Sequence, residues 1–341
     1  LRQKRVTLSD VAREAGVSRT TASFVLSHQD SKRISADTQD RVWEASRKLG
    51  YRPNLAARSL RVNSTMTIGM ISDRIAATQY AGEMVRGAIE AATRTGRVLL
   101  IAETEDESAD GAEHIDAMLD RQVDGLIYGS MYTRQVEPPV SLRSVPHVFL
   151  NCLPPGNDGP AVIPDEAEAG RLAAATLLDA GHTDRVYYIG GRHLTADKPG
   201  GIFAGHERAR GIAEVFAARG LSLAGTAECE WVPPEGYRVA REVLRTDLPP
   251  TALICANDRL ALGAYQALQE SGFSIPGDVS VVSFDDSELA AWMRPALTSI
   301  ALPHYDMGAK AVELLLGNQR EAAVHRCPMP CSTRESVARP R

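Results

Sequence analysis

The 341-residue chain contains no run of about 18 consecutive apolar residues, which argues against a transmembrane helix. Its N-terminus is basic, through Arg2, Lys4 and Arg5, but no apolar stretch or small-residue cleavage site follows, so no secretory signal is expected. The five cysteines, Cys152, Cys229, Cys255, Cys327 and Cys331, are odd in number and scattered. Only Cys327 and Cys331 stand close together, and without a second Cys or His pair nearby they make no zinc site. Reduced thiols and no metal are the expectation. Catalytic motifs are missing as well. The glycine-rich stretch at 190–205 lacks the Gly-Lys-Ser/Thr ending that a phosphate loop needs, and there is neither a nucleophile elbow nor a His-Glu-x-x-His pair. His193, His206 and Glu207 fit a solvated loop better than a metal site. An enzyme is therefore disfavoured, and no cofactor is expected.

What is present is a balance of 44% hydrophobic and 24% charged residues, that of a globular protein, in a chain too long for one ordinary core. At least two domains follow. The net charge of -5 conceals an asymmetry: residues 1–61 carry 13 Lys/Arg against 6 Asp/Glu, or +7, and the remainder carries -12. A small basic block on an acidic body suggests that one end meets a polyanion.

Residues 7–49 read as three short helices. Leu8, Val11, Ala12 and Ala15 fall at helical spacing, with Thr7 as N-cap and Gly16 as stop. Ser18 caps a second helix with Ala22, Val25 and Leu26 on one face. Ser35 or Asp37 opens a third, with Val42, Ala45 and Leu49 inward and Gly50 closing it. From residue 66 the texture changes: β-rich runs at 66–72, 98–102, 125–128, 147–150, 186–189, 253–255 and 279–284 alternate with Ala-rich amphipathic stretches at 83–95, 167–180 and 260–270. Such alternation implies parallel sheets flanked by helices, here in two groups that divide near residue 164. Two open α/β sheets facing each other make a cleft at the C-terminal ends of their strands.

The strongest local signal lies in residues 8–23. Two helices meet at a tight turn around Gly16, Val17 and Ser18, and the second begins with Arg19, Thr20 and Thr21, polar side chains able to project into a groove. An ordinary helical hairpin would look similar, but Tyr51, Arg52, Pro53 and Asn54, followed by Ala57, Arg58, Ser59 and Leu60, add context that a hairpin would not need. Together with the stretches 83–87, 123–127, 180–182, 189–191, 256–258, 284–286 and 295–298, in this order and spacing, the sequence resembles the lactose/galactose repressor family of bacterial transcription regulators along essentially its whole length.

That resemblance implies an α/β fold class: an N-terminal all-α helix-turn-helix headpiece and a two-subdomain, periplasmic-binding-protein-like core of parallel sheets flanked by helices. The domains implied are a DNA-binding headpiece at 1–53, a hinge helix and linker at 54–65, and an effector-binding and dimerisation core at 66–341. Within the core, subdomain one is expected at about 66–164 and 294–325, and subdomain two at about 165–293 and 326–341. The implied partners are a double-stranded, pseudo-palindromic DNA operator, a second copy of the chain (tetramers also occur in the family) and a small-molecule effector. The implied place is the bacterial cytoplasm, on the nucleoid when operator is bound.

By matched position, Arg19, Thr20 and Phe24 are the base readers. An arginine suits guanine, while Phe24 offers only apolar contact to a thymine methyl where the family often has a polar residue. Ser18, Thr21, Ser23 and Lys32 match phosphate contacts. Ala57, Leu60 and Arg61 match the hinge in the minor groove, with Leu60 as the wedge that unstacks a base step. In the core, Arg208, Asp285, Trp231 and Asn257 match effector contacts, with Asp73, Gln79, Tyr80 and Asp165 as further candidates. Without the resemblance, a structural salt bridge would be the favoured reading of Arg208 and Asp285. The segment between Gly191 and Arg208 is longer than usual in the family, and Leu302 stands where a polar residue is common. The expected effector is a sugar or sugar derivative, with a purine as runner-up. The rival for residues 66–341, a periplasmic sugar-binding protein without DNA function, predicts a signal peptide and no headpiece.

Overall fold

A computed structural model describes residues 6–26, 34–52, 64–73, 82–104, 111–156, 159–193, 202–317 and 322–341. The chain divides into two units, Leu1–Thr65 and Met66–Arg341. The first unit contains α1 (Leu8–Ala15), α2 (Arg19–Leu26) and α3 (Ala36–Leu49). Thr7 forms a capping box with Asp10: the Asp10 amide donates to Thr7 Oγ1 at 3.3 Å, and the Thr7 amide donates to Asp10 Oδ2 at 3.0 Å. Gly16 and Gly50 end α1 and α3 at φ 64° and 63°, the left-handed conformation that glycine adopts without a Cβ penalty. Val11, Ala12, Ala15, Ala22, Val25, Val42 and Ala45 make the core, with Trp43, Leu49 and Tyr51 packed around it. Seven small or branched residues set the three helices close together and leave one face of α2 outside that core.

The second unit holds two six-stranded sheets. The first contains β1 (Thr67–Asp73), β2 (Val98–Thr104), β3 (Gly125–Gln135), β4 (His147–Leu153), β5 (Ala161–Pro164) and, much later, β11 (Val324–Cys327), in the order β11-β5-β4-β3-β1-β2 with every pairing parallel. The second contains β6 (Val186–His193), β7 (Gly225–Cys229), β8 (Ala252–Cys255), β9 (Ser280–Asp285), β10 (Thr298–Ala301) and β12 (Cys331–Ser332), in the order β12-β10-β9-β8-β6-β7. Only the β10–β12 pairing is antiparallel. β8 is buried along its whole length, as expected of a strand covered by helices on both faces.

β10 pairs with β9 in the second sheet, so the chain returns to the first lobe only after Ala301 and not from residue 294. It crosses back after Cys327, since β11 completes the first sheet, rather than at 326. The short runs 298–301 and 324–327 carry no periodic signal of their own; sheet pairing decides their lobe. β3 also runs well past residue 128, through a register shift between Gly129 and Arg134. Its polar residues there are secured by tertiary contacts rather than by an apolar pattern.

Three helix pairs cross through reciprocal glycines. A Cβ on Gly170 would lie 2.2 Å from the Arg208 carbonyl oxygen, and one on Gly211 would lie 1.9 Å from that of Ala167. Gly87 and Gly308 hold Gly82–Arg94 against His304–Leu316 in the same way, and Gly236 and Gly263 hold Pro233–Val243 against Asp258–Glu270. Without side chains at the crossing, backbones touch and weak Cα–H···O contacts become available. For the site, the important pair is Glu166–Ala180 on Ala204–Ala218, because it brings Glu166 beside Arg208.

Candidate functional site

Two regions gather the residues singled out in the sequence. In the headpiece, Ser18 Oγ accepts from the Thr21 amide at 3.0 Å and shares a hydrogen bond with Thr21 Oγ1 at 2.8 Å. Ser18 therefore caps α2, which fixes where that helix starts. Ala22 and Val25 point into the core, leaving Arg19 and Thr20 exposed, Thr21 and Ser23 half-buried, and Phe24 39% exposed one turn beyond Thr20. Arg19, Thr20, Ser23 and Phe24 thus lie outside the core on a helix of only eight residues. Lys32, Ala57, Leu60 and Arg61 fall outside the described residues, as do Gln79 and Tyr80 of the core.

In the core, Arg208, Trp231, Asn257 and Asp285 come together where strands of the second sheet end, next to the point at which β7 and β8 diverge from β6. Gly190 sits at φ 99°, and a Cβ there would meet Leu260, Ala256 and Trp231. The indole of Trp231 fits into this space and donates through Nε1 to the Gly190 carbonyl. Asn257 accepts from the Leu260 amide at 2.8 Å, capping the following helix, and reaches the Trp231 carbonyl at 3.5 Å.

Arg208 is 2% exposed, with its guanidinium carbon 4.6 Å from the Phe284 ring centroid and 5.3 Å from that of Trp231. Three of its five N–H donors are committed. Nε gives 2.6 Å to Glu166 Oε2, Nη2 gives 3.3 Å to Glu166 Oε1, and Nη1 donates to the Ala256 carbonyl. Asp285 Oδ1 approaches Nη1 only to 3.8 Å. The salt bridge expected of a structural Arg208 is therefore made chiefly with Glu166, a residue the sequence did not single out. Glu166 stands in the first turn of a helix, where an acidic residue satisfies the helix dipole and draws no further notice. Phe284 was likewise visible only as a neighbour of Asp285.

Asp285 ends β9 with φ 103°, followed by Asp286 at 49°. Both are non-glycine residues in a costly region, so neighbours must hold them. Asp258, 1% exposed, does much of this: it accepts from Ser287 N and Oγ at 2.8 Å each, from Ser299 Oγ at 2.7 Å, and from Ser283 Oγ. Asp286 in turn accepts from Arg334 Nη2 and Ser332 Oγ, both at 2.6 Å. Burial pushes the Asp285 carboxyl well above the usual range, more than Arg208 draws it down, and Asp258 and Glu166 add to the rise. Burial also raises Asp258, against the pull of its serine hydrogen bonds.

The remaining candidates have other commitments. Asp73, at the end of β1, accepts from Met131 N at 2.6 Å, Arg134 Nη2 at 2.8 Å and Ser130 Oγ at 3.1 Å, anchoring the extension of β3. Asp165 caps its helix through the Glu168 amide at 3.2 Å. That β3 extension reaches the second lobe: Phe203 N donates to Thr133 O at 3.1 Å, Arg134 bridges Ile202, and Thr133 Oγ1 lies 3.5 Å from Glu166. A cavity of about 800 Å³ opens beside Asp285, bordered by Glu83 and Arg86 from the first lobe, Trp292 from the second, and the crossing segment with Leu302. Of the four clustered residues, only Asp285 borders it.

Comparison with known proteins fits both regions. Residues 7–54 match the family model for bacterial regulatory proteins of the lacI family, and residues 174–337 match that for a periplasmic binding protein-like domain. The HTH-type transcriptional repressor PurR of Actinobacillus pleuropneumoniae serotype 3 (strain JL03) is 32% identical over 317 residues, covering 91% of this chain and 90% of that protein. This chain belongs to the lacI family of bacterial regulatory proteins. Among solved structures, the Lac repressor bound to ONPG in its repressed state superposes with a TM-score of 0.77 at 26% identity, covering 98% of this chain and all of that one. The complex of the transcriptional regulator CelR with cellobiose gives 0.66 at 26% identity, covering 97% and 100%. The relatives bear the names of regulators and not of enzymes. No helix among the described residues is long and apolar enough to cross a membrane.

Proposed function

We propose that the protein is a cytoplasmic, dimeric transcriptional repressor that binds a pseudo-palindromic operator through its headpieces and is controlled by a small polar effector held between the lobes of the core. The observation that carries the DNA half is the outward face of α2, where Arg19 and Thr20 stand exposed immediately after the Ser18 cap. Arg19, Thr20 and Phe24 read bases, and Ser18, Thr21, Ser23 and Lys32 hold phosphates. Leu60, with Ala57 and Arg61, enters the minor groove, Leu60 as the apolar wedge against a base step.

For the effector half, Asp285 supplies an acceptor beside the cavity and Trp292, 67% exposed, an aromatic face on its border, the combination a sugar ring needs for its hydroxyls and C–H patches. The cellobiose in the complex of the related regulator CelR supports the same class. Operator and effector must change each other's affinity by the same factor. With a ligand identified by screening, operator binding of wild type should respond to it, whereas Asp285→Ala should bind operator normally and not respond. An undiminished response in Asp285→Ala would remove the cleft residues from the effector site.

A further inference from the structure

We infer that the cleft is built for an effector carrying a cationic nitrogen, an amino sugar in the simplest case, and that Glu166 makes it reject anionic ligands such as sugar acids. The inference rests on the reading of the cleft as the effector site and deepens it. An arginine in such a cleft invites a carboxylate or phosphate, because its fork of donors matches either group. Here the Nε/Nη2 side of the fork is occupied, and three of the five N–H donors are in use. Glu166 takes Nε and Nη2, the Ala256 carbonyl takes Nη1, and all three groups are shut away from solvent. A ligand anion would have to displace a buried carboxylate that is itself 3% exposed and has no other cation within reach among the described residues.

The carboxylate that remains available is Asp285. No described residue donates a hydrogen bond to its side chain, and its nearest cation, the already neutralised Arg208, stops at 3.8 Å. Glu166 and Asp285 thus face one guanidinium, and burial, with Asp258 and Glu166 nearby, pushes the Asp285 carboxyl up; a cation placed beside it would favour its charged form. Asp285 turns toward the cavity, whose rim repeats the imbalance. Among the described residues on the rim, Arg86 is paired with Glu83 and Asp286 with Arg334 at 2.6 Å, while Glu288 and Asp306 remain as its acidic surplus beside Asp285, with His304 on the same border. Trp292, 67% exposed, adds an aromatic face on which a cation can rest, as Arg86 already rests over Tyr305 at 4.9 Å. A volume of about 800 Å³ suits a small ligand of this kind. An ammonium group beside Asp285 would supply the missing countercharge, while hydroxyls of the same molecule meet the acidic rim.

Calorimetric titration of the full chain with matched probes tests this: hexosamine, neutral hexose and uronate, each in the gluco, galacto and manno configurations. A hexosamine should bind at least about tenfold more tightly than the uronate of the same configuration, with the neutral sugar between them. Glu166→Gln, which removes the countercharge on Arg208 while keeping one acceptor, should narrow that preference by about tenfold or reverse it, whereas a purely structural role for Glu166 would weaken all three probes alike. If that variant does not fold, Asp285→Asn should erase the preference for the amine. A uronate bound as tightly as its hexosamine by wild type, or a neutral sugar bound more tightly than the amine, overturns the charge assignment and leaves the sugar reading standing. Absence of binding by every probe overturns the sugar reading and this inference with it.

Discussion

The headpiece and the core gather polar side chains by opposite means. In the headpiece the presenting residues are consecutive on one helix, and local devices (the Thr7 capping box, the Gly16 stop, the Ser18 cap) set where that helix begins and which face it shows. In the core the clustered residues come from positions 166, 208, 231, 257 and 285, brought together by sheet order and glycine-mediated helix crossings. The first arrangement is set by contacts within three or four residues and one small three-helix core; the second depends on packing, charge pairing and backbone strain at once.

Substitutions that separate local from assembled effects sharpen this contrast. The largest effect is expected for Glu166→Ala, which leaves the buried Arg208 without its main partner. Removing one member of a buried pair costs about 3–5 kcal/mol, so the core's thermal transition should fall sharply. Urea unfolding followed at Trp231, in a chain whose other two tryptophans are replaced by Phe, would read it; a change below about 1 kcal/mol would mean that the ion pair is dispensable. Arg19→Ala should cost about 1–3 kcal/mol per contact in operator binding and relax base preference at one symmetric position, while core unfolding stays unchanged. Equal loss on all DNA sequences would make Arg19 a phosphate contact instead. Thr7→Ala removes half of the capping box and should lower headpiece stability by about 1 kcal/mol, measured by the far-ultraviolet signal of an isolated 1–65 fragment once that fragment is shown to fold.

A smaller effect should appear on acidification of the core. His182 is buried between Ser280 Oγ, at 2.9 Å, and the Ala338 carbonyl, at 2.8 Å, and burial lowers its pKa from the ordinary 6.5. The unfolded chain therefore takes up a proton at higher pH than the folded one. His182 contributes its full share of stability above about pH 6.5, and that share is lost as pH falls toward the folded value. His182→Gln should flatten this part of the stability profile; an unchanged slope between pH 7 and 5 would assign it to other groups.

These differences also explain what could be read from the sequence. Thr7, Gly16, Ser35 and Gly50 mark the ends of α1 and α3 because caps act within three or four residues. Alternating strands and helices gave away the two sheets for the same reason. The lobe of β10 and β11 was not legible, since runs of four residues acquire their place only by pairing with β9 and β5. Arg208, Trp231, Asn257 and Asp285 were found through family resemblance, yet Glu166 was not. Nothing in its surroundings distinguishes it from an ordinary first-turn acid until Gly170 and Gly211 bring its helix against that of Arg208.

Sequence-specific DNA binding by the 341-residue chain is the property on which everything else depends. Selection of bound duplexes from a random pool at moderate salt, followed by titration of the recovered sequence across salt concentrations, tests it directly. The expected result is a pseudo-palindrome of two half-sites, bound with an affinity that falls steeply as salt rises because Lys/Arg contacts release counterions. Recovery of no preferred sequence, with the same weak affinity for every duplex, would contradict it.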